Sequence, residues 1–356
     1  MKKLLAVTLC VALLCAGGLP LLAETLTGGQ NLKAGEEESG ASGGVGLPMV
    51  PANHVGREAV VRSSQVKEGA GTVLVKTTGE EEEEIQLHVD EHTVIMDNQS
   101  GLPVPADQIK AGDRVYVYHG PAMTFSLPPQ TYAEAILVNL VEGSSPAHLL
   151  AAEEVIKGSD GSVTVACDGG GMMVTLPADL PVRPLYTKNI VTNQDVILGT
   201  NFFAWYDMVA LSYPGRAQAT KAVILPAADQ SQVTMYLKND VPAGIEAKVE
   251  KGVVMVPLRA TAEALGLSVE WSGREKTVTV AAKDSAVLLK LGLGDCTMLD
   301  SGGGNAGDKV LLTAAPELSA SGQTWAPAEI FPLLLGRGAM RFVNGSLCFP
   351  VDPGLN

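Results

Sequence analysis

Five histidines, five cysteines and one run of five glutamates are the groups in this 356-residue sequence best equipped for chemistry. The histidines are His54, His88, His92, His119 and His148. His88 and His92 stand in the segment LHVDEH. On a helix they would share a face, as zinc ligands can. The segment reads instead as strand and turn, which puts His88, Asp90 and His92 on one side. That trio can form a weak metal patch, and the same pattern is that of a solvated sheet face, so no metal is assigned. The run Glu80–Glu84 follows Thr77-Thr78-Gly79. Adjacent carboxylates repel one another and stay in water, which predicts an exposed hairpin tip. A loose Ca²⁺ or polycation contact is the functional alternative, but a Ca²⁺ loop spaces its ligands and includes a turn glycine.

Cys10 and Cys15 fall in the apolar N-terminal stretch, leaving Cys167, Cys296 and Cys348. Three cysteines do not make a disulfide scaffold. Cys296 and Cys348 fall in one predicted domain and can pair in an oxidising compartment; equally, all three can be small buried hydrophobes. Gly40–Gly44 fits the nucleophile pattern G-x-S-x-G but lacks the strand and helix around it. Gly302–Gly307 fits G-x-G-x-x-G but precedes a strand-like segment, so no helix N-terminus faces a phosphate. HExxH, P-loop and Cys-x-x-Cys motifs are absent from the sequence. No catalytic, cofactor-binding or metal residue is assigned on these patterns, and the chain is expected to be non-enzymatic.

The elements that would position these groups are mostly strands. Residues 1–23 read as a signal peptide, with Lys2-Lys3 ahead of the apolar run Leu4–Leu22 and Ala23 at the cleavage position. Residues 24–50 are rich in Gly, Ser and Glu and read as a flexible linker. Residues 51–142 and 143–228 read as two copies of one β-rich unit, offset by about 90 residues. Gly71-Thr-Val answers Gly161-Ser-Val, and Gly112-Asp-Arg-Val-Tyr answers Gly199-Thr-Asn-Phe-Phe. Ser126-Leu-Pro-Pro answers Ser212-Tyr-Pro-Gly. Alternation in Val73-Leu-Val-Lys and Ile85-Gln-Leu-His-Val is that of half-buried strands. Short strands at this spacing predict small antiparallel barrels, with a resemblance to the OB fold.

Residues 229–356 read differently. Val253–Val256 predicts a strand, and Pro257 the first helical position, where no amide donor is needed. Leu258, Thr261, Ala262 and Leu265 make one apolar face, and Arg259–Glu263 an i,i+4 pair on the wet side. Gly266 supplies a left-handed stop. Val269–Trp271 and Thr277–Val280 then form a hairpin with Gly273 in its turn, Trp271 capping the core. Thr324–Gly336 and Met340–Phe349 repeat this plan in degraded form, and Pro332 predicts a kinked or short second helix. The wording VVMVPLRATAEALGLSVEWSGREKTVTV resembles the copper amine oxidase N-terminal-like, or stalk, domain of secreted bacterial proteins. The resemblance covers about a third of the chain. It implies an appendage remote from chemistry and an extracellular setting. It does not imply copper: the family's catalytic domain needs three copper-binding histidines and a quinone-forming tyrosine, and no histidine here lies in the stalk-like region.

Composition narrows the partners. Formal charge is −14, and removing Lys2 and Lys3 with the leader leaves −16. Such a surface repels nucleic acid and anionic membranes. The aromatic share of 4% argues against extended base-stacking or sugar-stacking surfaces. The expected fold is β-rich α+β: tandem small antiparallel barrels, then a strand–helix–hairpin repeat domain. The expected role is a secreted, non-catalytic accessory protein, a binding or spacing module for the cell wall or another extracellular protein, without membrane insertion once the signal is removed. The alternative is an extracellular hydrolase with its site between the two β-rich repeats, where Asp113, Tyr116, Tyr118 and Tyr206 are polar candidates better explained as ordinary strand positions.

Overall fold

The computed structural model describes residues 54–79, 82–226, 230–237, 241–300, 306–343 and 345–349. The leader, the linker, Glu80, Glu81 and both glycine-motif matches lie wholly or largely outside the described residues.

The first unit contains β1 (Val55–Lys67), β2 (Ala70–Thr77), β3 (Glu84–Val89), β4 (Val94–Asp97), β5 (Arg114–His119) and β6 (Gln130–Val138). Their order is β3-β2-β1-β5-β6-β4, and β3 also pairs with β6, so five strands close into a barrel. Alternation decides what fills it. Val73, Val75, Ile85, Leu87, Val115 and Val117 point inward and are fully buried, and the residues between them face out. A bulge between Val61 and Ser63 lets β1 bend from its pairing with β5 to its pairing with β2. The barrel is not purely antiparallel as expected: β3–β6 and β4–β6 run parallel. The chain crosses over between β3 and β6, and alternation of side chains carries no record of strand direction.

The second unit contains β7 (His148–Ala151), β8 (Glu154–Lys157), β9 (Val163–Cys167), β10 (Met172–Leu176), β11 (Val182–Pro184), β12 (Asn201–Trp205), β13 (Val209–Ala210), β14 (Gly215–Gln218) and β15 (Lys221–Ile224). They form two sheets, β13-β14-β10-β9-β8 and β11-β15-β12-β7, rather than one closed barrel. The pairings nonetheless recur, with β7 and β8 standing for β1, and β14 and β15 for β6. β10–β14 and β11–β15 are parallel, as β3–β6 and β4–β6 are. Matching turns use matching bonds. Gly112 N donates to Val61 O (2.8 Å) and Gly199 N to Ala152 O (2.8 Å). The peptide bonds Leu127–Pro128 and Tyr213–Pro214 are both cis. The two interruptions, after Ala151 and after Gln218, split what is continuous strand in the first unit.

The third unit contains β16 (Gln230–Leu237), β17 (Val241–Glu250), β18 (Val253–Pro257), α1 (Leu258–Ala264), β19 (Ser268–Ser272), β20 (Thr277–Ala281), β21 (Ser285–Lys290), β22 (Asp295–Asp300), β23 (Ala306–Leu311), β24 (Glu317–Leu318), β25 (Thr324–Pro327), α2 (Ile330–Leu335), β26 (Arg341–Val343) and β27 (Ser346–Phe349). Two sheets, β24-β25-β18-β17-β16-β27-β26 and β19-β20-β21-β22-β23, enclose the two helices. Leu258, Thr261, Ala262 and Leu265 are buried as their spacing predicts. Gly266 has φ 75°, and the bonds Gly266 N→Glu263 O (3.0 Å) and Leu267 N→Ala262 O (2.9 Å) complete a Schellman stop.

Gly273 lies in the turn of the β19–β20 hairpin, as expected, and the left-handed residue of that turn is Lys276 (φ 54°). Two expectations shift here. Pro257 is the residue capping α1, not its first helical residue. Trp271 faces the core side opposite Val278 but sits at the sheet rim, 43% exposed, so it does not cap the core. The second helix is short, as expected. It starts at Ile330, which puts Pro332 in the first turn, where its missing N–H costs no helical bond. Cys167, Cys296 and Cys348 are free and buried, Cys296 in one sheet of the third unit and Cys348 in the other.

Candidate functional site

The seam between the first and second units is packed. Met96, Ala135 and Leu137 from one side meet Phe203, Val223 and Leu185 from the other. The turn after β4 is clasped by the second unit. Asn98, Gln99 and Ser100 carbonyls accept from Trp205 Nε1 (3.1 Å), Lys221 Nζ (2.7 Å) and Arg183 Nη1 (2.9 Å). Lys221 also lies 3.7 Å from the Trp205 ring centroid, a cation–π contact. Gly101 is left-handed (φ 69°), and a Cβ there would meet Val223 at 2.8 Å. Asp97 organises the turn by accepting from Gln99 N, Ser100 N and Ser100 Oγ. Burial opposes its charge, but these bonds and Asn139 outweigh that and hold its carboxyl below the usual range.

The polar candidates are spent on this architecture. Asp113 Oδ2 accepts from Lys110 N (2.8 Å), and its counterpart Thr200 Oγ1 accepts from Ile197 N (3.0 Å). The Tyr116 ring fills the space a side chain at position 56 would need. Tyr118 Oη donates to Ala147 O (2.7 Å) across the seam. Tyr206 stacks on His148 with ring centroids 4.0 Å apart; it follows β12 rather than lying in it. The trio in LHVDEH does not converge. His88 Nε2 meets Gln130 Oε1 (3.0 Å), Asp90 Oδ1 accepts from His92 N (2.9 Å), and His92 lies in solvent. Among the described residues no three His, Cys, Asp or Glu side chains are placed to hold a metal ion. In the glutamate run, Glu82 pairs with Lys76 and Glu83 with Arg57.

An open cleft of about 430 Å³ lies where the three units meet. His54 and Glu134 border it from the first unit, Leu149 and Asn201 from the second, Gln230 and Phe342 from the third. His54 stands just ahead of β1. Its Nδ1 meets Glu134 Oε2 (3.1 Å) and its Nε2 meets Leu149 O (3.1 Å). Burial alone would lower the imidazole pKa. The hydrogen bond and charge of Glu134, the Leu149 carbonyl and the field of Asp168 outweigh it, so the net shift is upward. With both ring nitrogens engaged, His54 is a clasp between two units rather than a free general base.

A polar seam beside the cleft fastens the third unit to the second. Glu153 Oε1 accepts from Gly169 N (2.8 Å), Phe342 N donates to Glu153 O (3.0 Å), and Gly338 N to Glu154 Oε1 (3.1 Å). Arg341 Nη1 donates to Gly169 O. Its guanidinium lies so close to Gly170 that a Cβ there would meet it at 2.4 Å. Burial pushes the Glu153 carboxyl up, against the pull of Gly169 N–H and Arg341. Gly199, at φ 84°, admits Phe342, which a Cβ would meet at 2.9 Å.

A second groove, about 440 Å³, belongs to the third unit alone. Trp271 stands over it, with Val269, Leu258 and Leu318 below and Gln323 and Thr324 at the rim. Arg259 is fixed there by Glu263 Oε1 and Val269 O, both at 3.3 Å. Sequence reasoning placed Leu258, Arg259, Val269 and Trp271 in their elements but missed both clefts, because their linings come from segments far apart in the chain.

The copper amine oxidase N-terminal domain family matches residues 236–337. That domain is a non-catalytic, stalk-type module. The match spans α1, both hairpin-forming segments around it, and α2. No curated protein matches the chain.

Proposed function

We propose that the protein is a secreted, non-catalytic accessory protein that docks at the cell wall through its third unit and holds the first two units at a fixed distance from it. The observation that carries this reading is the match of residues 236–337 to a non-catalytic module, together with the way that module is seated. Bonds from Gly338, Arg341 and Phe342 to Glu154, Gly169 and Glu153 fix it to the second unit, and the packed seam fixes the second to the first. Such a body transmits position rather than bending like a linker. The seam where a hydrolase site is the alternative expectation is occupied by apolar side chains, which favours the accessory role. The Trp271 groove is the docking surface on the third unit, an aromatic face with fixed polar groups at its rim. The test is co-sedimentation of the chain from Glu24 onward with purified cell walls at low and moderate salt, beside Trp271→Ser and Arg259→Ala variants. Retention that drops several-fold in both variants supports wall docking through this groove. No retention of the unaltered chain at either salt defeats it.

A further inference from the structure

Four of the most exposed apolar side chains sit at equivalent places in the first and second units. The loop from β5 to β6 carries Phe125 and Leu127, and the turn between β13 and β14 carries Leu211 and Tyr213. Phe125, Leu127 and Leu211 are 109%, 97% and 106% exposed, and Tyr213 is 90% exposed. Nothing of their own fold covers them. Each pair flanks a serine whose hydroxyl donates to the carbonyl after the cis bond, Ser126 Oγ→Pro128 O (2.7 Å) and Ser212 Oγ→Pro214 O (2.8 Å). The same brace therefore holds the same kind of protrusion twice. Residues 120–133 contain no charged side chain, nor do residues 208–215, in a chain of net charge −14.

We infer that these two loops are tips that dip into the apolar layer of a lipid surface of low charge. Three features select this occupant. The tips are convex, so a protein partner would have to supply an entire socket for each, whereas a lipid layer accepts any apolar protrusion. Position by position, Phe125 answers Leu211 and Leu127 answers Tyr213, so bulk is kept while shape is not. A socket reads shape; a fluid apolar phase reads only size and hydrophobicity. The absence of charge from both tips suits an apolar phase, and the acidity of the rest of the chain selects against anionic headgroups. This is a surface contact, not a crossing: no helix among the described residues is long and apolar enough to span a membrane.

The test is flotation of the chain from Glu24 onward with phosphatidylcholine vesicles and with vesicles enriched in phosphatidylglycerol, at low and high salt. It is independent of wall docking, because the tip substitutions leave the Trp271 groove untouched. The chain is expected to float with phosphatidylcholine with little salt dependence, and more weakly with phosphatidylglycerol unless salt screens the repulsion. Phe125→Asp with Leu127→Asp, and separately Leu211→Asp with Tyr213→Asp, should each lower partitioning at least about tenfold, and the fourfold variant should abolish it. Leu211→Trp should shift its emission to shorter wavelength on adding phosphatidylcholine. Circular dichroism and melting should be unchanged, since the substituted side chains pack against nothing. Failure to float at any lipid concentration, a fourfold variant that floats like the parent, or a preference for the anionic vesicles would each overturn the inference.

Discussion

Phe202 and Phe203 are neighbours on β12, both fully buried, yet they serve different cores. Phe202 points into the second unit, among Val165, Val174 and Leu176. Phe203 points the other way, into the layer shared with Met96, Ala135 and Leu137 of the first unit. Truncating either to alanine removes a whole ring from a closed apolar site, which costs about 3–5 kcal/mol. In a body this large each kcal/mol moves the melting midpoint by about 2 °C, so about 6–10 °C is expected for each. The distinction lies in what else loosens. Phe202→Ala should raise hydrogen exchange mainly in β9, β10 and β12. Phe203→Ala should raise it in β6 and β12 together, because the layer couples the units. Trp205, whose Nε1 donates to Asn98 O, reports the seam by fluorescence once Trp271 and Trp325 are replaced by Phe. A Phe203→Ala loss below about 1 kcal/mol in urea unfolding, or a β6 whose exchange is unchanged, would refute the claim that this seam is core rather than a mobile cleft.

The His54 clasp favours the protonated ring in the folded state. Its contribution is fully present below the ordinary imidazole value and is lost as pH rises through the raised one. The melting temperature should therefore fall more between about pH 6 and pH 8 in the parent than in His54→Gln. Asn193 Nδ2 donates to the carbonyls of Gly161, Leu176 and Pro177. Asn193→Ala should cost about 2–4 kcal/mol in urea unfolding, and Asn193→Asp more, since a carboxylate cannot donate to three carbonyls. Gly266→Ala meets no atom within 4 Å, so its cost should be the left-handed backbone penalty alone, about 1 kcal/mol. A much larger loss would mean that the helix stop is misread.

What could be read from the sequence divides along physical lines. The α1 face, its stop at Gly266 and the β19–β20 hairpin are local, and spacing alone specifies them. The correspondence of the first two units was also legible, because Gly112, Gly199 and the two Ser-x-Pro loops keep turn chemistry that only certain residues can supply. Partner choice was not. Alternation says which side of a strand is wet, not which strand lies beside it or in what direction, so the parallel closure by β6 was out of reach. Trp271 was misplaced because its strand face is the core face, while its distance from the end of the sheet decides whether anything covers it. The His54 clasp joins residue 54 to residues 134 and 149, and the third-unit seam joins residue 153 to residues 169 and 342. Neither has a local pattern to find.

The gap between β7 and β8 receives the third unit. In the first unit the matching stretch is a bulged but unbroken strand. In the second, Glu153 falls in the interruption, and its carbonyl and carboxylate reach Phe342 N and Gly169 N instead. A lapse in one ladder has become a mortise for another part of the chain. Grafting the unbroken stretch of the first unit into the second would therefore close one of its two interruptions and unseat the third unit in the same stroke, so in this chain regularity and attachment are traded at a single peptide.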